Sequence, residues 1–223
     1  MRDKSKNEKY YEEYIAQQTG RIAKFESKIA DGTVASDRVG IIRAKIDSLR
    51  YSIMVAKYSN GTDLDDIRQD YLRLLNDTHL YWNESSGYSD MLVMMSLAIL
   101  FNIDKSQFTE LSALVDKYNR HDPLLDFFID YAENNQVSLK DGKLAFPDPY
   151  KYLTIIIKEQ NDAIKHMNEY MTKRWLKVKE QSGEGGEYCG LWCFEVGAIA
   201  KILGIDDTAL IDEAHYPYDL VHY

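Results

Sequence analysis

The residues of this chain able to do chemistry are five histidines, two cysteines and a set of carboxylates, so their spacing comes first. His79, His121, His166, His215 and His222 form no HExxH, HxH or other metal-ligand pattern. Cys189 and Cys193 stand four apart, which on a continuous helix puts both on one face. A structural zinc would need further ligands, and no neighbouring His or Cys supplies them, so the pair reads as two small core residues. A Cys–His nucleophile needs an electropositive setting that lowers the thiol pKa, and this stretch is the most acidic in the chain. The glycines between Gly183 and Gly186 follow a helical pattern rather than a strand, and Glu184 and Glu187 beside them would repel a phosphate. Asp63, Asp65, Asp66 and Asp70 crowd a helix start, where carboxylates suit the dipole; they lack the spacing and glycine of a calcium loop. No metal and no cofactor is expected.

Glu195 is the one misplaced acid. Leu191, Trp192 and Phe194 precede it and Val196, Ala198 and Ile199 follow, so it falls close to an apolar face. A buried carboxylate must find donors or take up a proton. A tyrosine hydroxyl, a tryptophan N–H or a lysine from the helix before it would satisfy Glu195, which reads as structural. An enzyme using Glu195 with Tyr188 is the alternative, although a catalytic acid wants a second carboxylate, a histidine or a metal in a cleft, and the sequence names none.

Charge is more informative once divided. Of the 223 residues, the first 179 carry 26 Lys and Arg against 27 Asp and Glu, while residues 180–223 carry only Lys201 against nine acids. Nearly all of the net charge of −9 therefore lies in the last 44 residues. Such a concentration repels nucleic acid and attracts basic surfaces. The composition, 45% hydrophobic and 28% charged, is that of a globular protein. The longest apolar run, Met91–Phe101, is short of the roughly 20 residues of a membrane span, and no apolar stretch follows the charged N-terminus as in a secretory signal. With two cysteines, the expectation is a cytoplasmic protein with no membrane or nucleic-acid partner.

These residues must be positioned by helices. Prolines occur only at 123, 147, 149 and 217. Lys4–Ala30 repeats Tyr11, Ile15, Ile22, Phe25 and Ile29 at helical steps with Gln18 interrupting, and Asp31-Gly32 ends it. Ser36 is placed to cap a second helix that Asn60-Gly61 closes, and Thr62 or Asp63 to open a third. Gly87–Phe101 has no clean polar face and belongs centrally. Asp122-Pro123 and Asp148-Pro149 read as caps followed by a first-turn proline. Tyr150–Gln181 has the spacing of one long helix, and Glu187–Leu203 and Asp206–Ala214 of two final ones. The expectation is an all-α fold, an antiparallel array of about nine or ten helices, with at most a minor β-hairpin near 137–146. One echo is visible: Leu100-Phe101-Asn102-Ile103-Asp104 matches Ile202-Leu203-Gly204-Ile205-Asp206, each a helix end, an Asn or Gly stop, an apolar plug and an Asp restart. It points to two helical halves.

Three C-terminal strings carry a resemblance. Tyr188-Cys189-Gly190-Leu191-Trp192-Cys193-Phe194-Glu195, then Lys201-Ile202-Leu203-Gly204-Ile205-Asp206-Asp207, then Tyr216-Pro217-Tyr218-Asp219-Leu220 resemble the C-terminal module of the PoNi immunity proteins, which neutralise PoNe-type DNase toxins delivered between competing bacteria. The N-terminal half is similar through its long opening helix, Tyr81-Trp82, and the Gly87-Tyr88 helix ending at Leu100. The resemblance spans nearly the whole chain as two helical modules, 1–116 and 117–223. It implies an intracellular, non-enzymatic protein that binds and inhibits a cognate PoNe-type DNase toxin, and it carries over no catalytic residue. A DNase presents a basic cleft to DNA, which a dense set of carboxylates is suited to fill. The alternative partner class is a non-nuclease protein, with this chain a helical adaptor. The expected contact set is Glu184, Glu187, Asp206, Asp207, Asp212, Glu213 and Asp219, taken as exposed, with Tyr216 and Tyr218 as aromatic anchors.

Overall fold

Helix α1 (Glu8–Ala30) buries one stripe, Tyr11, Tyr14 and Gln18, at steps of three and four, and Asn7 caps it by accepting from the Tyr10 N–H. Gln18 does not interrupt the seam. It is 1% exposed, and its amide spans Arg21 and Glu187 with bonds of 2.8 and 2.7 Å. The computed structural model describes residues 1–83, 87–182 and 187–223, without the side chains of Tyr81 and of 180–182.

Packing divides the chain into two compact units, Met1–Asn83 with Glu187–Leu191, and Glu84–Gly186 with Trp192–Tyr223. In the first, α2 (Val39–Asn60) lies between α1 and α3 (Leu64–Tyr81) and buries Ile46, Leu49, Met54, Val55, Ala56 and Tyr58. Gly61 ends α2 in a left-handed cap. Asp63 opens α3 by accepting from the Asp65 N–H. Ser36 makes no side-chain cap; it begins a short 3-10 turn, Ser36–Arg38, that runs into α2. Asp70 bonds to Lys57 at 2.6 Å and Arg73 at 3.1 Å, so the acids of α3 serve as a cap and as ion pairs.

The second unit is built on α4 (Tyr88–Leu100) and α10 (Phe194–Leu203), which pack directly on each other. Around them lie α5 (Lys105–Lys117), α6 (Pro123–Asn134), α7 (Pro147–Lys158), α8 (Ala163–Tyr170), a π-helical turn Met171–Trp175, α9 (Leu176–Ser182) and α11 (Tyr218–Val221). The sequence echo is thus the central helix pair of one unit rather than the cores of two halves. Both helices end the same way: Asn102 at φ 48 and Gly204 at φ 62 stop them, and the amides of Ile103 and Ile205 reach back to Ala98 and Ala200 at 3.1 Å. Lys201 on α10 donates to the Leu100 carbonyl at 2.8 Å, satisfying an orphan acceptor at the end of α4.

The fold is all-α, with no strand among the described residues. Several boundaries differ from expectation. Residues 150–181 break at Glu159 and the 3-10 turn Gln160–Asp162, where Asn161 and Asp162, two adjacent residues of low helix propensity, interrupt the pattern. Asp148 gives no cap; it is non-helical inside the first turn of α7. Asp122 does cap α6, accepting from Leu124 and Leu125 ahead of the Pro123 ring. Residues 187–193 form no helix, with Gly190 at φ 119, so Cys189 and Cys193 do not share a helix face. Residues 206–214 form only a 3-10 turn, Thr208–Leu210, whereas the expected tail contributes α11.

Gly197 lets α10 meet the chain end. A Cβ there would lie 2.7 Å from Pro217 Cγ and 3.2 Å from Val221 Cγ2, and the proline ring cannot rotate away. Gly197→Ala is expected to cost about 1–3 kcal/mol through overpacking. Chemical denaturation checks this; an unchanged midpoint would contradict the close packing.

Candidate functional site

The acidic C-terminal segment is held from within by one of its own acids. Asp207 is 2% exposed and accepts from the Tyr216 hydroxyl at 2.6 Å and from His222 Nε2 at 2.9 Å. Burial, and then the Asp207 carboxylate, push the Tyr216 hydroxyl far above the ordinary tyrosine range. Leu210 of the 3-10 turn is buried, and the Cys193 amide donates to the His215 carbonyl at 2.8 Å. Asp207 and Tyr216 therefore correct the expectation of exposure: they are the framework of the segment. Hydrogen bonds within 206–216 turn two of its candidate contacts inward, since an unpaired carboxylate could not be buried there.

The rest of the predicted set divides. Asp206, Asp212 and Asp219 are exposed, and Glu213 and Tyr218 are half-buried. Asp206 accepts from the Thr208 hydroxyl and amide, which hold its carboxyl below the ordinary range. The Tyr218 ring lies 4.3 Å from that of His222. Lys201, the only base in residues 180–223, is committed to the Leu100 carbonyl, and burial lowers its pKa to about 8. Glu187 is exposed but belongs to the first unit, where it accepts from Gln18. Glu184 lies outside the described residues. Asp206, Asp212, Glu213, Tyr218 and Asp219 all belong to the second unit, whereas Glu187 belongs to the first. Sequence reasoning missed two members. His222 fixes Asp207, a role that no spacing signals. Ile211, 56% exposed among these acids, was hidden by the assumption of a helix.

Glu195 is buried in the second unit at 3% exposure. Its Oε1 accepts from the Tyr170 hydroxyl at 3.3 Å, while Oε2 has no hydrogen-bond partner. Burial raises its carboxyl pKa, against the pull of the Lys179 charge. Of the partners expected for Glu195, Tyr170 supplies a hydroxyl, and Lys179 supplies only its charge. Burial likewise pushes the Cys193 thiol up, so it makes a poor nucleophile. Tyr188, the alternative's partner for Glu195 in an enzyme, donates instead to Asp3 Oδ2 at 2.6 Å. Burial works against the Asp3 carboxyl, but hydrogen bonds from Tyr188, Ser5 and Tyr11 hold it below the ordinary range. Among the described residues, no group of three His, Cys, Asp or Glu could hold a metal, and no helix is long and apolar enough to cross a membrane.

Because the folded pKa of Glu195 is raised, its contribution to stability is fully present below the ordinary glutamate range and is lost as pH rises through the folded value. Glu195→Gln is expected to remain folded and to flatten this part of the pH profile. Glu195→Ala is expected to lose about 1–3 kcal/mol by leaving the Tyr170 hydroxyl unpaired. Thermal melts from pH 4 to 8 read both; a glutamine variant with the wild-type pH profile would contradict the assignment.

Comparison with known proteins accords with this architecture. No curated protein matches the chain. The crystal structure of protein PA2201 from Pseudomonas aeruginosa is similar with a TM-score of 0.72 and 16% identity, over 96% of this chain and 87% of that one, a likeness of fold alone. Residues 2–113 match the family model of the PoNe immunity protein (PoNi) N-terminal part, and residues 120–220 match that of the C-terminal part. The sequence division at 116/117 falls between these two matches, while packing groups α4 and α5 with the later helices. With nearly its whole length covered in two consecutive matches, the chain belongs to the PoNi family of PoNe immunity proteins.

Proposed function

We propose that this immunity protein acts in the cytoplasm by binding a cognate PoNe-type DNase toxin and covering its basic DNA-binding cleft with the acidic C-terminal segment. One observation carries the reading: residues 180–223 hold nine acids and one base, and that base is turned onto the Leu100 carbonyl. Asp206, Asp212 and Asp219 face solvent, with Glu213 half-buried beside them. A DNA-cleaving domain needs positive potential over its cleft, and an acidic surface competes with phosphates for it while steering association. Ile211 and Tyr218 supply apolar and aromatic contact area within the same segment. Inhibition by occupancy requires no chemistry from the inhibitor, and the groups that the enzyme alternative would use are withdrawn from solvent or engaged. Glu195 and Cys193 are buried, and Tyr188 is bonded to Asp3.

The test is charge reversal at Asp206, Asp212, Glu213 and Asp219 together. Asp207 stays intact because it carries Tyr216 and His222. The variant is expected to fold and to associate with the toxin domain about tenfold more slowly, with a reduced salt dependence. It should also fail to protect cells expressing the toxin. A folded variant that associates at the wild-type rate and protects fully would overturn this surface.

A further inference from the structure

In the first unit a cleft of about 320 Å³ is lined by α1, α2 and α3. That volume lies at the small end of ordinary ligand pockets, enough for a side chain. Within its lining the Arg50 guanidinium meets one carboxylate from each helix: Glu26 at 3.0 Å, Asp47 at 3.1 Å and Asp77 at 2.8 Å. Arg43, exposed on α2, also lines the cleft but makes none of these bonds. Three carboxylates thus face two guanidiniums, an excess of one negative charge. Asp47 is 5% exposed, and its carboxyl is pushed up to about 6, first by burial and then by the Asp77 charge, despite Arg50. Burial is the first cause of that shift; the shortage of positive charge follows from the three carboxylates and two guanidiniums that line the cleft. The other walls are apolar: Ile29, Ala30, Ile46 and Leu80, the last 52% exposed. An anion would meet the carboxylates, and an uncharged apolar ligand would leave the charge excess in place. A cation on a methylene stem satisfies both parts of the cleft.

We propose that this cleft is a docking pocket for a basic side chain of the protein partner, its cationic head joining Arg50 among Glu26, Asp47 and Asp77 and its stem lying on Ile29, Ile46 and Leu80. The occupant takes the place of the proton on Asp47, so docking strengthens as pH rises through the titration of that carboxyl. The identification of the partner as the DNase toxin rests on the function proposed above; the pocket does not.

N-acetyl-arginine amide, with its uncharged isostere N-acetyl-citrulline amide as control, is titrated to concentrations on the order of 10 mM into the full chain, with methyl signals followed by NMR. Saturable shifts are expected at Ile29, Ile46 and Leu80 with the arginine amide and not with citrulline, about tenfold weaker at pH 5 than at pH 7.5. A Glu26→Gln, Asp77→Asn variant, whose melting confirms that it folds, should lose them. Absent shifts, equal shifts with citrulline or no pH dependence would overturn the pocket. In a second arm the same variant should bind the toxin domain at least fivefold more weakly, and unchanged affinity would contradict docking there. A toxin domain that fails to bind even the wild-type chain would overturn the proposed function, and the amide titration then decides the pocket alone.

Discussion

A helix buried on nearly every side must find partners for any charge it carries, and α10 carries two. Glu195 lies within its first turn and Lys201 near its last. Lys201 is spent on the end of α4, where its ammonium closes the Leu100 carbonyl. Glu195 takes the Tyr170 hydroxyl and is driven toward its neutral form by burial. Both solutions depend on which elements surround α10, so helix pairing and charge placement in this unit are a single problem. Burying an ionised group without such partners would cost more than any one contact returns.

The consequence reaches the surface. With Lys201 engaged at the end of α4, the C-terminal segment has no lysine or arginine left to set against its acids. Asp207 removes one acid from the exterior and uses it to bind Tyr216 and His222, which ties the chain end to the 3-10 turn. Pro217 and Val221 close onto Gly197. The exposed carboxylates are therefore carried on a fixed scaffold, and a preorganised charged surface loses little entropy on binding. An immunity protein gains from this, since a charged surface already in its binding shape favours rapid capture of a toxin.

Much of the fold was legible because the signals were strong and local. Asp63 and Asp122 cap as their positions imply, Gly61 and Gly204 stop their helices, and the apolar run of α4 is central. The echo near Asn102 and Gly204 was visible too, yet its meaning was not, because two similar helix ends say nothing of whether they pack on each other. Period alone also could not show that residues 187–193 are not helical, since Tyr188 is drawn to Asp3, far away in sequence. The candidate surface was read from charge, which locates acids but not their orientation. Asp206 and Asp207 look alike in sequence and have opposite fates, because only Asp207 has a tyrosine and a histidine within reach. The Arg50 cluster was invisible for the same reason: its three carboxylates come from three helices.

If the acidic segment covers the toxin's cleft, this protein occupies the place where DNA would lie. The most direct measurement is whether the cognate toxin domain, once bound to this chain, still takes up a short DNA duplex under conditions where the duplex is not cut. Mutually exclusive binding is expected, with DNA displaced as the immunity protein saturates the toxin. A stable ternary complex of toxin, DNA and this chain would contradict it.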